Sequence, residues 1–361
     1  MVNEASALIK VMSPILPASD KLLPYLISID ANRIYSNFGP LEFNLRERLA
    51  LHFGIPTSLI VTCSNATLGI LGALETSELP VGTTWELPAW TFTATSAAMA
   101  YSRYEAKFVD VDSMGRVVPS GEATAVIDVL PFGDEWEHAR LSDKIGAVIV
   151  DAAASFDAIK EIPINRKEPF AMILSLHATK ILPAGEGGLF ISNDPSWVMR
   201  FQNWTKFGME VGRTSTSIGL NAKLSEYSAA VCHASLDEWD QIHKSWISLG
   251  KIAADISDQF GVRRTSAALK GFVSPYWIVN LASEHQKTNF AIHLNELGIQ
   301  TRDWWESGCH QMPAYKDFKR DDLSMTDFLA NTTLGLPFHL CLTDDEWERI
   351  RLGFETFFEK D

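Results

Sequence analysis

Apolar residues recur at helical spacing over residues 41–53, and Gly54 followed by Pro56 ends the pattern, so a helix is expected there. A short apolar run, residues 59–62, leads into Ser64 and Asn65, residue types that cap helices, and residues 66–74 are helical in character. The same order of strand, polar turn and helix then returns. Residues 85–87 precede Pro88, a helix rich in Ala and Thr starts near Thr93, and residues 107–111 read as the next strand. Further apolar runs follow at 125–130, 147–150, 171–176 and 188–191. Runs that are apolar throughout suit strands buried on both faces, which predicts an α/β fold with a mostly parallel sheet between helices.

Beyond Asn221 a long helical pattern passes through Leu224, Ala229, Ala230 and Trp239, and the alternation loosens after about residue 245. The expected division is therefore a large domain over 1–245 and a smaller α+β domain over 246–361, with helical segments near 289–297 and 343–358. No fixed repeat or low-complexity tract suggests a solenoid or a disordered region.

Composition changes this picture little. The 361 residues are 46% hydrophobic and 21% charged, which fits a globular chain long enough for two domains. Forty-five acidic residues against 31 Lys and Arg give a net charge of −14, which repels nucleic acid and anionic lipid. No run reaches the roughly 18 apolar residues of a membrane span, and no leader pattern opens the chain. Cys63, Cys232, Cys309 and Cys341 are scattered without a CxxC pair, so reduced thiols, no metal site and a cytoplasmic location are expected.

The chemistry concentrates in Ser175-Leu176-His177-Ala178-Thr179-Lys180, followed by Gly185-Glu186-Gly187-Gly188. A lysine just past a buried strand can lose its proton by desolvation and attack a carbonyl, although many loop lysines are merely solvated. Asp151 closes the run that begins at Gly146, at a strand end where open α/β sheets place ligands, and one βαβ unit is expected between it and Lys180. A carboxylate there can hold a ring nitrogen protonated or can cap a following helix. Ser64, Asn65 and Ala66 mark a turn whose backbone N–H groups could bind phosphate or serve only as a cap. The glycines at 185–188 lead into a strand-like run, so they are not a dinucleotide fingerprint.

Six segments in order resemble the DegT/DnrJ/EryC1/StrS sugar aminotransferases, pyridoxal-phosphate enzymes of fold type I. Asn37-Phe38-Gly39-Pro40 resembles the substrate loop of that family, Pro88 to Thr95 its P-x-x-T-F-x-A-T segment, and Phe108-Val109-Asp110-Val111-Asp112 its F-V-D-V-D. Asp151-Ala152-Ala153, the Lys180 segment and Gly219-Leu220-Asn221-Ala222-Lys223-Leu224-Ser225-Glu226 complete the likeness. The resemblance implies that Lys180 holds the cofactor as a Schiff base, Asp151 contacts the pyridine nitrogen and Phe92 stacks on the ring. It further implies that Asn65, Ala66, Ser175 and Asn221 hold the phosphate, with Asn221 supplied by the second subunit of a homodimer. Glutamate would donate its amino group through pyridoxamine phosphate to a nucleotide-linked keto sugar, for surface polysaccharide or a glycosylated metabolite, with Asn37 and His310 near that substrate.

Two features depart from the pattern. Ala154 stands where the family carries Gln or His against the cofactor's phenolic oxygen, and the phosphate turn reads Ser-Asn-Ala instead of Ser-Gly-Thr. Other readings stay open at this level. A sugar dehydratase of the same superfamily carries histidine in place of the lysine. A non-catalytic binding or regulatory protein could use the same scaffold, and an amino-acid aminotransferase could use Arg302 or Arg213 for a substrate carboxylate.

Overall fold

Burial of continuous apolar runs on both faces is what the strands of the main sheet show. The computed structural model describes residues 8–359 apart from Asp143, Lys160 and Phe272. The first half of the chain forms α1 (Ser19–Asn32), α2 (Pro40–Phe53), β1 (Ile60–Cys63), α3 (Ala66–Glu75), β2 (Thr84–Pro88), α4 (Thr93–Tyr101) and β3 (Glu105–Val109). Strands β4 (Ala125–Val129), β5 (Ala147–Asp151), β6 (Phe170–Ser175) and β7 (Gly188–Ser192) follow, then α5 (Pro195–Trp204) and α6 (Glu226–Asp237). The rest comprises α7 (Trp239–Gln259), β8 (Arg263–Arg264), α8 (Ser266–Leu269), β9 (Trp277–Asn280), α9 (Glu284–Glu296), β10 (Lys319–Arg320), α10 (Ser324–Thr332), β11 (Thr333–Leu336) and α11 (Asp344–Phe358).

The large sheet has the order β1-β7-β6-β5-β4-β2-β3-β10. Strand β7 is antiparallel to both β1 and β6, and the remaining pairings are parallel, so β7 alone runs against its neighbours. Alternation of side chains divides each apolar strand between two cores. Val148 and Val150 of β5 and Met172 of β6 join the core with Leu45 and Leu49 of α2 and Ala229 and Ala230 of α6. Ile149 and Ile173 join the core on the other face with Ile70 and Leu74 of α3 and Phe201 of α5. Each of the larger of these side chains, Val, Leu, Ile, Met or Phe, contributes about 1.5–3 kcal/mol on burial, which makes the sheet a rigid base for whatever its edge carries.

A second sheet, β11-β9-β8, is antiparallel and packs with α9 and α11. Trp277 of β9 stacks on Phe354 of α11 with centroids 5.6 Å apart. Thr343 and Glu346 form a capping box at the start of α11.

The expected boundary after residue 245 falls inside α7, a continuous helix. The two parts also exchange segments. Strand β10 returns to the large sheet beside β3, and Ile9 forms a parallel bridge with Ile299. The single long helix expected beyond Asn221 is two, broken at Glu238 between α6 and α7. The βαβ unit expected between Asp151 and Lys180 is corrected as well: residues 152–169 join β5 to parallel β6 through turns, with no helix among the described residues. Apolar side chains of this segment, including Phe156 and Ile159, are buried in the core and cover the sheet as a helix would. Among the described residues no helix is long and apolar enough to cross a membrane.

Candidate active site

Strands β1, β2, β5 and β6 point the same way, so their carboxyl ends gather at one edge of the large sheet. That edge is where an open α/β sheet leaves backbone groups and loops free for a ligand. Asp151 ends β5, Ser175 ends β6, and Phe92 and Asn65 are the N-cap residues of α4 and α3.

Asp151 is buried, and burial pushes its carboxyl above the usual range. The Thr95 hydroxyl, the Ala153 N–H and the Lys180 charge oppose that rise. Thr95 Oγ1 donates to Oδ2 at 2.6 Å and the Ala153 N–H to Oδ1 at 3.2 Å. The Ala153 contact shows what the side chain does for its own backbone. It closes a local turn and does not cap a helix.

Lys180 lies in a loop bonded to itself. The Leu176 N–H donates to Gly187 O, the Ala178 N–H to Gly185 O and the Ala184 N–H to Leu176 O. Gly185 has φ +78°, a left-handed conformation that glycine takes without strain. At the centre of this loop Lys180 Nζ donates to Tyr276 Oη at 2.9 Å. His177 shares a hydrogen bond with Thr179 Oγ1 at 2.9 Å and packs beside the lysine turn.

The turn before α3 is close-packed on β7. Asn65 Oδ1 accepts from the Leu68 N–H at 2.9 Å, so its side chain caps the helix while the other first-turn N–H groups have no intrahelical partner. A Cβ on Gly188 would lie 2.9 Å from Ala66 N and 2.8 Å from the Asn65 carbonyl carbon, so only glycine lets β7 approach this turn. Ser64 Oγ is buried there with no hydrogen-bond partner among the described residues. Phe92 is 56% exposed, which sets it apart from the core aromatics around it.

The family model of the DegT/DnrJ/EryC1/StrS aminotransferases matches residues 19–354. The chain belongs to that family. Protein Rv3402c of Mycobacterium tuberculosis is 26% identical, over 93% of this chain and 87% of its own. The dTDP-4-amino-4,6-dideoxy-D-glucose transaminase of Escherichia coli is 28% identical, over 62% of each chain. A solved structure, that of a PLP-dependent aminotransferase from Bacillus cereus ATCC 10987, superposes with a TM-score of 0.87 at 24% identity, covering 96% of this chain and 99% of the other.

The remaining residues singled out in the sequence of this aminotransferase lie further out. Ser175 is half-buried at the end of β6 and accepts from the His177 N–H at 3.2 Å. Asn221 is exposed, bridges to Lys206 and accepts from Lys223 Nζ, whereas the cap of α6 is Ser225. Asn37 is exposed with φ +65°, and Phe38 after it also has positive φ. This loop is held from below. The Glu226 carboxylate accepts from the Leu41 and Glu42 N–H groups at 2.8 and 2.9 Å, capping α2 where Gly39 cannot. His310 lies away from the surface, inside the fold. It is buried, with Nε2 3.0 Å from Asp327 Oδ1, because Gly308 and Thr326 pack around it. Arg302 lies over the Trp304 ring at 4.8 Å and Arg213 is exposed.

Sequence reasoning missed Thr95 and Tyr276. Thr95 follows Phe92 by three residues within a segment already singled out, so the first turn of a helix aimed at Asp151 was a usable signal. Tyr276 had no local signal. It comes from the residue just before β9, 96 residues beyond Lys180, and its ring stands edge-on to Phe132 and Trp304 at 5.8 and 4.9 Å.

Proposed function

We propose that this aminotransferase holds pyridoxal phosphate on Lys180 and moves an amino group from glutamate to the keto carbon of a nucleotide-linked deoxysugar. The observation that carries the reading is the meeting of a buried, hydrogen-bonded carboxylate, a lysine amine and a glycine-lined helix N-terminus at one sheet edge. These residues fit the cofactor. The close β7 approach at Gly188 leaves the N–H groups at Asn65 and Ala66 available as a phosphate cradle, and Ser64 Oγ is an unsatisfied donor beside it. Ser175 would add a second hydroxyl, and Phe92 offers an exposed ring as a stacking surface.

When bound, pyridoxal phosphate supplies an electron sink and a carrier for the amino group. The residues of this chain do the rest. Asp151 would hold the ring nitrogen from a buried position and favour a proton there, and the Thr95 and Ala153 donors oppose the rise that burial imposes on its carboxyl. Lys180 would take a proton from the substrate carbon and return it to the neighbouring carbon, which needs a mobile amine within reach of both. Both half-reactions use the same amine and the same carboxylate, so the two substrates enter in turn and the kinetics are ping-pong.

The sugar-nucleotide reading draws on the family and on the Escherichia coli relative, whose own name gives a dTDP-linked amino sugar. We further place Asn221, exposed on its loop, in the phosphate site of a second subunit, which makes the functional unit a homodimer with shared sites. The unpaired thiols of Cys63, Cys232, Cys309 and Cys341 accord with work in the reducing cytoplasm.

The test is a single-turnover assay. The cofactor-loaded protein should lose its Schiff-base absorbance on adding glutamate and recover it with a keto-sugar nucleotide, drawn from a panel of dTDP, UDP and GDP sugars. Lys180→Ala should abolish both changes. Full turnover by that variant sinks the mechanism, and recovery only with small keto acids sinks the sugar assignment.

A further inference from the structure

Lys180 is held by a residue of the segment that leads into β9, not by the large sheet whose edge carries its loop. Its Nζ is 2.9 Å from Tyr276 Oη and 5.2 Å from the centre of the same ring, so the hydroxyl is the nearer part of the tyrosine. We propose that Tyr276 is the positioning residue of the Lys180 amine, holding and orienting Nζ whenever that nitrogen is not bonded to a carbonyl carbon. The proposal rests on the reading of Lys180 as the reacting amine.

The tyrosine is itself firmly placed. Its ring makes edge-on contacts with Phe132 and Trp304, and Trp305 stacks on the far side of Phe132 at 4.0 Å. Two residues earlier, Ser274 Oγ donates to Phe132 O at 2.5 Å. That contact exists because Gly133 has no side chain: a Cβ there would lie 2.8 Å from Ser274 Cβ and 3.0 Å from Ala154 O. The start of β9 is thereby pinned to the loops after β4 and β5, and the hydroxyl cannot swing away without unpacking the aromatic group.

A phenol suits this task better than a carboxylate. It accepts from an ammonium and donates to a neutral amine, so one contact persists while the lysine gives up and regains a proton. A carboxylate partner would favour the charged amine and hold it there. Asp151 is the carboxylate whose field reaches Lys180, yet no ion pair joins the two among the described residues. Tyr276 keeps the amine aimed without committing it to that charge.

Tyr276→Phe removes the hydroxyl and keeps the ring. The apoprotein is mixed with saturating pyridoxal phosphate, the Schiff base is trapped with borohydride, and the rate of labelling at Lys180 is followed by mass. The Phe variant should label about ten-fold or more slowly, with kcat reduced alike and KM for both substrates within two-fold. Phe132→Leu loosens the packing that places the hydroxyl but keeps the hydroxyl itself, and should lower Tm while slowing labelling by clearly less than Tyr276→Phe does. Labelling of Tyr276→Phe at the unsubstituted rate, or equal slowing in Phe132→Leu, overturns the assignment. Lys180→Ala run in parallel separates the two levels. If it neither labels nor turns over while Tyr276→Phe is unaffected, only the role of Tyr276 falls, whereas full turnover without Lys180 removes the reading beneath it.

Discussion

Thr95 Oγ1 lies 2.6 Å from Asp151 Oδ2 and 2.9 Å from Thr91 Oγ1, joining the first turn of α4 to the end of β5. Phe92, the N-cap of that helix, is tied to the same residue by a second bond, from the Thr95 N–H to Phe92 O. Thr95 thus links the backbone of the exposed ring to the buried carboxylate.

Thr95→Val should shift the acid limb of the pH–rate profile to higher pH and slow turnover near neutrality about ten-fold. Burial already pushes the Asp151 carboxyl up, and the Thr95 hydroxyl is the largest influence holding it down. Without that donor the charged form is lost at a higher pH as the solution is acidified. An acid limb that stays in place would show that Asp151 does not titrate in catalysis.

Gly188→Ala should weaken cofactor binding at least ten-fold and destabilise the fold by about 1–3 kcal/mol. The added methyl would meet Asn65, Ala66 and Cys63 within 3 Å and force the turn before α3 off β7. Titration with pyridoxal phosphate and thermal unfolding measure the two effects. Unchanged affinity would remove the phosphate from this turn.

Asn221→Ala and Lys180→Ala should each be inactive alone, and mixing them should restore activity up to about a quarter of the unsubstituted level if each site draws on both subunits of a two-fold dimer. Subunits are exchanged in mild denaturant and the half-reaction with glutamate is followed. No recovery in mixtures shown to contain hybrids would place Asn221 outside its partner's site.

Asp128→Asn should flatten the pH dependence of stability between about pH 4 and pH 6. Burial pushes this carboxyl up to about 6, with Arg140 and the Trp136 N–H opposing. The folded state therefore holds the proton more tightly than the unfolded chain, and this group's contribution to stability falls as pH rises from the unfolded value through the folded one. At pH 7 the variant, which keeps an acceptor for Trp136 Nε1 at 3.1 Å, should gain roughly 2–3 kcal/mol relative to its difference at pH 4. Thermal unfolding across that range is the measurement, and parallel curves for the two proteins would refute it.

The chain order alone carried strands β1 to β7 of the large sheet to within a residue or two, because a strand buried on both faces must be apolar throughout and cannot hide that, whereas the short, exposed and charged β10 gave no such signal. Asp151, Lys180 and the turn at Asn65 were legible for the same reason. Each stands just past such a run, at the end where backbone direction leaves groups free. Where local pattern gave no such constraint, the expectation failed. Residues 152–169 pack without a helix, and α6 and α7 divide at Glu238, since tertiary contacts and not periodicity fix those segments.

What the sequence settled, then, is the α/β alternation and that Asp151, Lys180 and the Asn65 turn stand just past buried strands, both of which follow from local spacing of apolar and polar residues. Only the folded chain decided that Thr95 bonds Asp151, that His310 meets Asp327, and that Tyr276 reaches Lys180 from the segment ahead of β9. Those pairings are set by how strands and helices cross in space, and residues 56 or 96 positions apart carry no sign of each other in a linear pattern.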